Sequence, residues 1–165
     1  MTKSTARQIF VKVAQHAVGR GDDLLVTLGL GSCVAILLHD PRARVGGMAH
    51  VLLPEPALAR DRSNPSKFAT TAIPLLLEEI CALGGRKERM TAKLAGGAAM
   101  FANLMGPGSL NMGERNIAAS REVLRELGIP VLGEDVGADY GRSVRFRVRD
   151  GGTVVSSVGR QDVTL

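Results

Sequence analysis

Two apolar runs flank the dipeptide Asp40-Pro41, and that arrangement constrains the fold more than any other feature of the chain. Residues 33–39 read Cys-Val-Ala-Ile-Leu-Leu-His, and residues 45–53 form a second run, with Asp40-Pro41-Arg42-Ala43-Arg44 between them. Runs this short and sharply bounded fit strands better than helices. Asp is favoured at the first position of a type I turn, where its carboxylate bonds the following backbone, and Pro at the second, where φ is already fixed. The segment therefore predicts a β-hairpin. With Pro41 and Arg42 at its tip, Cys33 falls directly opposite His50 on one face, with Cβ atoms on the order of 5 Å apart. A bulge, for which Gly46-Gly47 is a candidate, would shift the register by one residue and separate the pair.

A thiol beside an imidazole suggests nucleophilic chemistry. Ordinary cysteine is only a few per cent thiolate at neutral pH, so a cysteine nucleophile needs a base or cation nearby, and His50 supplies either. Attack on a carbonyl creates an oxyanion that preorganised N–H donors must hold. The run Leu28-Gly29-Leu30-Gly31-Ser32-Cys33 suits this, because its glycines let the backbone turn sharply and expose the N–H groups of Gly31, Ser32 and Cys33. Thr27, on the strand entering this turn, is the candidate to orient the imidazole, although threonine is also ordinary in strands. For Cys33 the competing reading is buried packing. The catalytic reading requires sulfur beside imidazole at the mouth of an accessible groove, fed by mobile flanks such as residues 55–67. Placement of the two side chains on opposite sides of the sheet, or a sulfur sealed inside the hydrophobic interior, would overturn it.

The other histidines and the other cysteine serve as controls. His39 lies at the turn end of the hairpin, opposite position 44, and His16 has no evident partner. Cys81 sits at helical spacing from Leu77 and Gly84, which predicts a small core residue. No His/Cys spacing suggests zinc, and no cofactor is expected. Gly29-Leu30-Gly31 begins a dinucleotide fingerprint, but Val34 stands at the third glycine, and the same residue excludes a Gly-x-Ser-x-Gly elbow around Ser32.

The chain of 165 residues, 45% hydrophobic, suits a single domain over residues 1–165 with a real core. No apolar stretch approaches the roughly 20 residues that span a bilayer, and the N-terminus leads into no signal-peptide core, so a cytoplasmic protein without membrane insertion is expected. Net charge is +5, yet aromatic residues are only 3% and no binding motif interleaves with the arginines, so nucleic acid is not expected as a partner. Arg145, Arg147 and Arg149 alternate with Val144, Phe146 and Val148, as on a strand with one solvated face.

Strands are predicted at 24–28, 92–96, 130–134, 143–149 and 153–158, the last two joined by an Asp150-Gly151 turn. A helix carries Leu76, Ile80 and Leu83 and ends at Gly84-Gly85, with Pro74 tolerable only in its first turn. A second helix, near 114–127, carries Ile117, Leu124 and Leu127 and stops at Gly128. Gly106-Pro107-Gly108 reads as a flexible stretch before it. The fold class is α/β with an α+β character: a layered sandwich of mixed, largely antiparallel sheets with flanking helices.

Leu28-Gly29-Leu30-Gly31-Ser32-Cys33-Val34, Asp40-Pro41, Gly46-Gly47-Met48-Ala49-His50 and Leu53-Pro54 together resemble the signature of CheD, the bacterial chemoreceptor glutamine deamidase family. Lys67-Phe68, Ala72-Ile73-Pro74-Leu75-Leu76, Ala92-Lys93-Leu94-Ala95-Gly96-Gly97-Ala98, Gly113-Glu114-Arg115-Asn116-Ile117 and Gly141-Arg142 extend the resemblance from about residue 10 to 158. It implies a cysteine amidohydrolase converting glutamines of chemoreceptor cytoplasmic domains to glutamate, with receptor methyl esters as further substrates. It also implies Cys33 as nucleophile, His50 as base and acid, Thr27 as orienting residue, and a CheC-type phosphatase as partner. The fold implied is an α/β sandwich related to glutamine-deamidating toxins. Thr70, where an acidic residue is expected, and Asp150, where threonine is expected, depart from the pattern. The rival readings are a non-catalytic chemotaxis adaptor that binds CheC or receptors, a general cysteine peptidase, and a nucleic-acid module.

Overall fold

The computed structural model describes residues 5–100 and 111–165. Ten strands and two α-helices follow one another as β1 (Gln8–Phe10), β2 (His16–Arg20), β3 (Leu24–Leu30), β4 (Val34–Asp40), β5 (Val45–Val51), α1 (Ala69–Ala82), β6 (Thr91–Gly96), α2 (Met112–Glu126), β7 (Val131–Val136), β8 (Arg142–Arg147), β9 (Thr153–Ser156) and β10 (Val163–Thr164). They form two five-stranded sheets, ordered β1-β3-β8-β9-β10 and β2-β5-β4-β6-β7. Each sheet has one parallel pair, β1 with β3 and β6 with β7, and is otherwise antiparallel. This is the mixed, largely antiparallel sandwich expected from the sequence.

Periodicity decides the layering. In β4 every residue is buried, because it pairs with β5 on one side and β6 on the other and is covered on both faces. Val34, Ile36 and Leu38 point to the helices, where they meet Ile73, Leu76 and Ile80 of α1 and Ile117 and Leu124 of α2. Cys33, Ala35 and Leu37 point the other way, into a second core shared with Leu25, Val144 and Phe146 of the opposing sheet. The second sheet is thus the middle of three layers. In β8, Val144 and Phe146 are buried while Arg145 and Arg147 are exposed, as the alternation predicts, and Arg147 and Arg149 pair with Asp150 and Asp22 at the surface.

The hairpin forms with a different register. Asp40 pairs with Val45 and Ala35 with His50, so the connection is the four residues 41–44, not two, with Arg44 in the left-handed region at φ 53°. Asp40 explains the longer turn. Its fully buried carboxylate accepts the N–H groups of Arg42, Ala43 and Arg86 and is paired with the guanidinium of Arg89. Burial alone would raise its pKa, but these donors outweigh that and hold it at about 2. Gly46-Gly47 makes no bulge. The pairing runs unbroken through it, and a Cβ at Gly47 would stand 2.6 Å from Leu76 Cδ1.

Two helix expectations are corrected. Pro74 lies beyond the first turn, since α1 begins at Ala69; its ring is on the exposed side of the helix. Cys81 is exposed and not a core residue, because the buried stripe is Ala69, Ala72, Ile73, Leu76 and Ile80, and Cys81 stands one residue past it. Gly106-Pro107-Gly108 lies outside the described residues. No described helix is long and apolar enough to cross a membrane.

Asp40→Ala leaves the Arg89 guanidinium and three N–H donors without their acceptor at a buried site. The expected cost is about 3 to 5 kcal/mol in urea unfolding, whereas a surface carboxylate such as Asp22 changed to Ala shifts stability by less than about 0.5 kcal/mol.

Candidate active site

Cys33 precedes the first residue of β4, the central strand of the middle layer, and His50 stands near the end of β5. In the observed register Cys33 faces position 52, so the sequence expectation of direct opposition is off by two residues. Because side chains alternate with period two, a shift of two keeps both on the same face as diagonal neighbours. That face is the inter-sheet side, where Cys33, Ala35 and Met48 lie.

Thr27 reaches the same place from the other sheet. Its strand carries a bulge between Thr27 and Leu30, where Gly29 adopts φ 70°, a conformation glycine takes without strain. The bulge leaves Leu28 and Gly29 exposed and returns Leu30 to the interior, so Leu25, Thr27 and Leu30 are all buried. Thr27 Oγ1 lies 2.7 Å from His50 Nδ1 and 2.6 Å from the carbonyl of Val11. A hydroxyl has one proton and a carbonyl can only accept, so that proton goes to Val11 and the oxygen accepts from Nδ1–H. The neutral imidazole is therefore the Nδ1–H tautomer. Its Nε2 carries the lone pair, and among the described residues it has no hydrogen-bond partner although it is buried.

The backbone around Cys33 divides sharply between acceptors and donors. The carbonyls of Gly31, Ser32 and Cys33 are held by Ala98 N–H, Asn116 Nδ2 and Gly97 N–H at 2.8, 2.9 and 2.8 Å. Among the described residues, none of the N–H groups of Gly31, Ser32 and Cys33 donates to a backbone carbonyl. The close packing depends on Gly96, which has φ 108° and sits so that a Cβ would be 2.3 Å from the Cys33 carbonyl oxygen.

Burial sets the electrostatics. His50 is 2% exposed and Cys33 7%. Desolvation pushes the His50 pKa down to about 4, against a smaller opposing pull from the Val11 carbonyl. It likewise pushes the Cys33 thiol up, against a smaller pull from the N–H of Cys33 itself. At neutral pH both groups are uncharged, so the pair rests as thiol and imidazole, not as an ion pair. Cys33 is buried and does not stand at the mouth of an open groove as the sequence reading requires. The cavity that reaches His50, about 270 Å³, is lined by Phe10, Val11, Lys12, Val13, Val26, Leu28 and Gly29, and Cys33 does not line it.

The remaining histidines have structural partners. His39 faces Gly46, not position 44, and donates Nε2–H to the Val148 carbonyl at 2.7 Å, with its ring edge-on to Phe146. His16, which has no evident partner in the sequence, lies 2.6 Å from Ser66 Oγ and 2.7 Å from Glu79 Oε2, tying β2 to α1. The Val11 carbonyl belongs to no residue pattern, and Asn116, though it stands in the family-like run Gly113-Glu114-Arg115-Asn116-Ile117, is given no site role by it. The available signal for Asn116 is a polar residue on the buried stripe Gly113, Asn116, Ile117, Ser120, Leu124 of α2. Among the described residues no group of three or more His, Cys, Asp or Glu side chains is placed to hold a metal.

The family model for CheD chemotactic sensory transduction matches residues 52–157. A curated relative from Caldanaerobacter subterraneus subsp. tengcongensis, named probable chemoreceptor glutamine deamidase CheD, is 44% identical over 149 residues, covering 90% of this chain and 92% of its own. The chain belongs to the CheD family. Family members named in the same way from Geobacter metallireducens and Pyrococcus abyssi are 46% and 43% identical, covering 87% and 92% of this chain and 89% and 98% of their own. The family model begins after His50, but the relatives' alignments are too long to leave Thr27, Cys33 and His50 outside them. Among solved structures, Neisseria meningitidis protein NMB0706, of family-model DUF152, matches with a TM-score of 0.51 at 15% identity, over 92% of this chain and 74% of its own, a likeness of fold alone.

The depressed pKa of His50 has a measurable consequence for stability. Unfolded histidine titrates near 6.5 and the folded residue near 4, so the unfolded chain takes up the proton first as pH falls. The contribution is complete above pH 6.5 and is lost progressively toward pH 4. Between pH 7 and 4.5, the unfolding free energy of the wild type should fall about 2 to 3 kcal/mol further than that of His50→Asn. Parallel profiles for the two proteins would refute the shift.

Proposed function

We propose that this chain is a cytoplasmic cysteine amidohydrolase that converts selected glutamines of chemoreceptor cytoplasmic domains to glutamate. The observation that carries the reading is a buried imidazole fixed through Nδ1 by Thr27, with Nε2 left, among the described residues, as an unpartnered base on the face it shares with Cys33. A buried polar atom without a partner costs about 1 to 3 kcal/mol, and packing alone gives no reason to keep one. The family, whose members are named glutamine deamidases, supports the same reading.

In the proposed cycle His50 Nε2 takes the Cys33 proton as sulfur attacks the side-chain carbonyl carbon of glutamine. Both groups start uncharged, so the imidazolium forms only as the oxyanion forms, and the two charges arise together in a dry site. The N–H groups of Gly31, Ser32 and Cys33 are the oxyanion donors. The tetrahedral adduct collapses, Nε2–H passes its proton to the departing nitrogen, and ammonia leaves behind a thioester. His50 then deprotonates a water that attacks the thioester, releasing glutamate and restoring the thiol. A receptor methyl ester would follow the same path with methanol as the leaving group. The protein is further proposed to work with a CheC-type phosphatase in controlling receptor modification.

A non-catalytic adaptor draws on one specific observation, the 7% exposure of Cys33 within an apolar cluster. The two readings part at one substitution. Cys33→Ala should abolish glutamine conversion in receptor cytoplasmic fragments, read by peptide mass spectrometry, with an unchanged circular dichroism spectrum. Undiminished conversion by that variant would reject the nucleophile. Thr27→Val, which removes the hydroxyl that fixes the tautomer, should lower kcat by roughly 10 to 10²-fold.

A further inference from the structure

Of the three carbonyls around the nucleophile, those of Gly31 and Cys33 are held by backbone N–H groups of Ala98 and Gly97, which no substitution short of proline removes. The Ser32 carbonyl is held by a side chain. Asn116, fully buried on α2, donates Nδ2 to Ser32 O at 2.9 Å and also to Leu52 O at 3.0 Å. Ser32 directly precedes Cys33, and Leu52 lies two residues beyond His50 in the chain, so one amide group ties the entry of β4 to the exit of β5. Its own Oδ1 has no partner among the described residues, so the side chain is retained for what it donates.

The consequence follows from the planarity of the peptide unit. In a trans peptide the carbonyl oxygen of one residue and the N–H of the next point in opposite directions. Holding Ser32 O toward α2 therefore turns the Cys33 N–H away from α2. The Cys33 side chain also points away from the helices, into the inter-sheet core. The smaller lowering of the thiol pKa by its own N–H, against the larger effect of burial, agrees with that arrangement.

We infer that Asn116 is a positioning residue that aims the Cys33 N–H as an oxyanion donor beside the sulfur. The inference rests on the deamidase reading above and adds to it the group that preorganises the hole. Asn116 touches neither substrate nor sulfur in this role; it acts through one peptide plane.

The test separates oxyanion stabilisation from the condition of the thiol. Full-length wild type, Asn116→Ala and Asn116→Ser are assayed on a receptor cytoplasmic fragment for kcat and KM, and the alkylation of Cys33 by iodoacetamide is timed for each. Alkylation needs the thiol intact and accessible but builds no oxyanion. Asn116→Ala should lose about 10²-fold in kcat with KM within threefold, while its alkylation rate stays within threefold of wild type. Asn116→Ser, which keeps one donor, should fall between the two and gives the readout if Asn116→Ala does not fold. A wild-type kcat in either folded variant, or a loss of kcat matched by an equal loss of alkylation, overturns the role. Absence of turnover by the wild type counts instead against the deamidase reading, and the inference falls with it.

Discussion

One hydroxyl joins the two sheets where the candidate chemistry lies. Thr27 belongs to the first sheet and His50 to the second, and the proton that Thr27 gives to Val11 obliges its oxygen to accept from Nδ1. The orientation of the imidazole, the identity of its free nitrogen and the face that nitrogen presents all follow from that bond. The sandwich supplies the rest. The bulge at Leu28-Gly29 brings Thr27 and Leu30 to the inner side together, and buried Arg142 of the first sheet, pairing with Asp135 of the second, ties the two sheets again.

On the proposed reading, the candidate site stays neutral until the reaction begins. Burial makes charge costly for both Cys33 and His50, which pushes the thiol up and the imidazole down. A reaction that creates an anion and a cation together in one step lessens that cost, provided the anion finds donors already in place. The held carbonyls of residues 31–33, whose N–H groups donate to no backbone carbonyl among the described residues, match that requirement. The same burial explains why the thiol has no depressed pKa, the signature by which a reactive cysteine is usually sought.

Much of this was legible in the sequence because periodicity survives small errors. The hairpin follows from Asp40-Pro41 and its flanking runs, and although the connection has four residues, the two-residue offset preserves which face each side chain takes. The turn length was not legible, because it depends on Asp40 gathering Arg86 and Arg89 from far along the chain. Cys81 misled for a related reason: spacing to Leu77 and Gly84 cannot say which edge of a helical stripe meets the sheet. The Thr27 contact required knowing that two sheets oppose each other, and the Val11 carbonyl that makes it directional belongs to no side-chain pattern. Asn116 was visible as a polar residue on an apolar stripe and within the family-like run Gly113-Glu114-Arg115-Asn116-Ile117, but neither gave it a role. What it holds is set by tertiary packing of α2 on the strand ends.

The tautomer of His50 tests the account most directly. Long-range ¹⁵N–¹H correlation spectra of the ring should show a protonated Nδ1 and an unprotonated Nε2 from pH 5 to 8, giving way to imidazolium only near pH 4. An Nε2–H tautomer, or a ring already cationic at neutral pH, would contradict it.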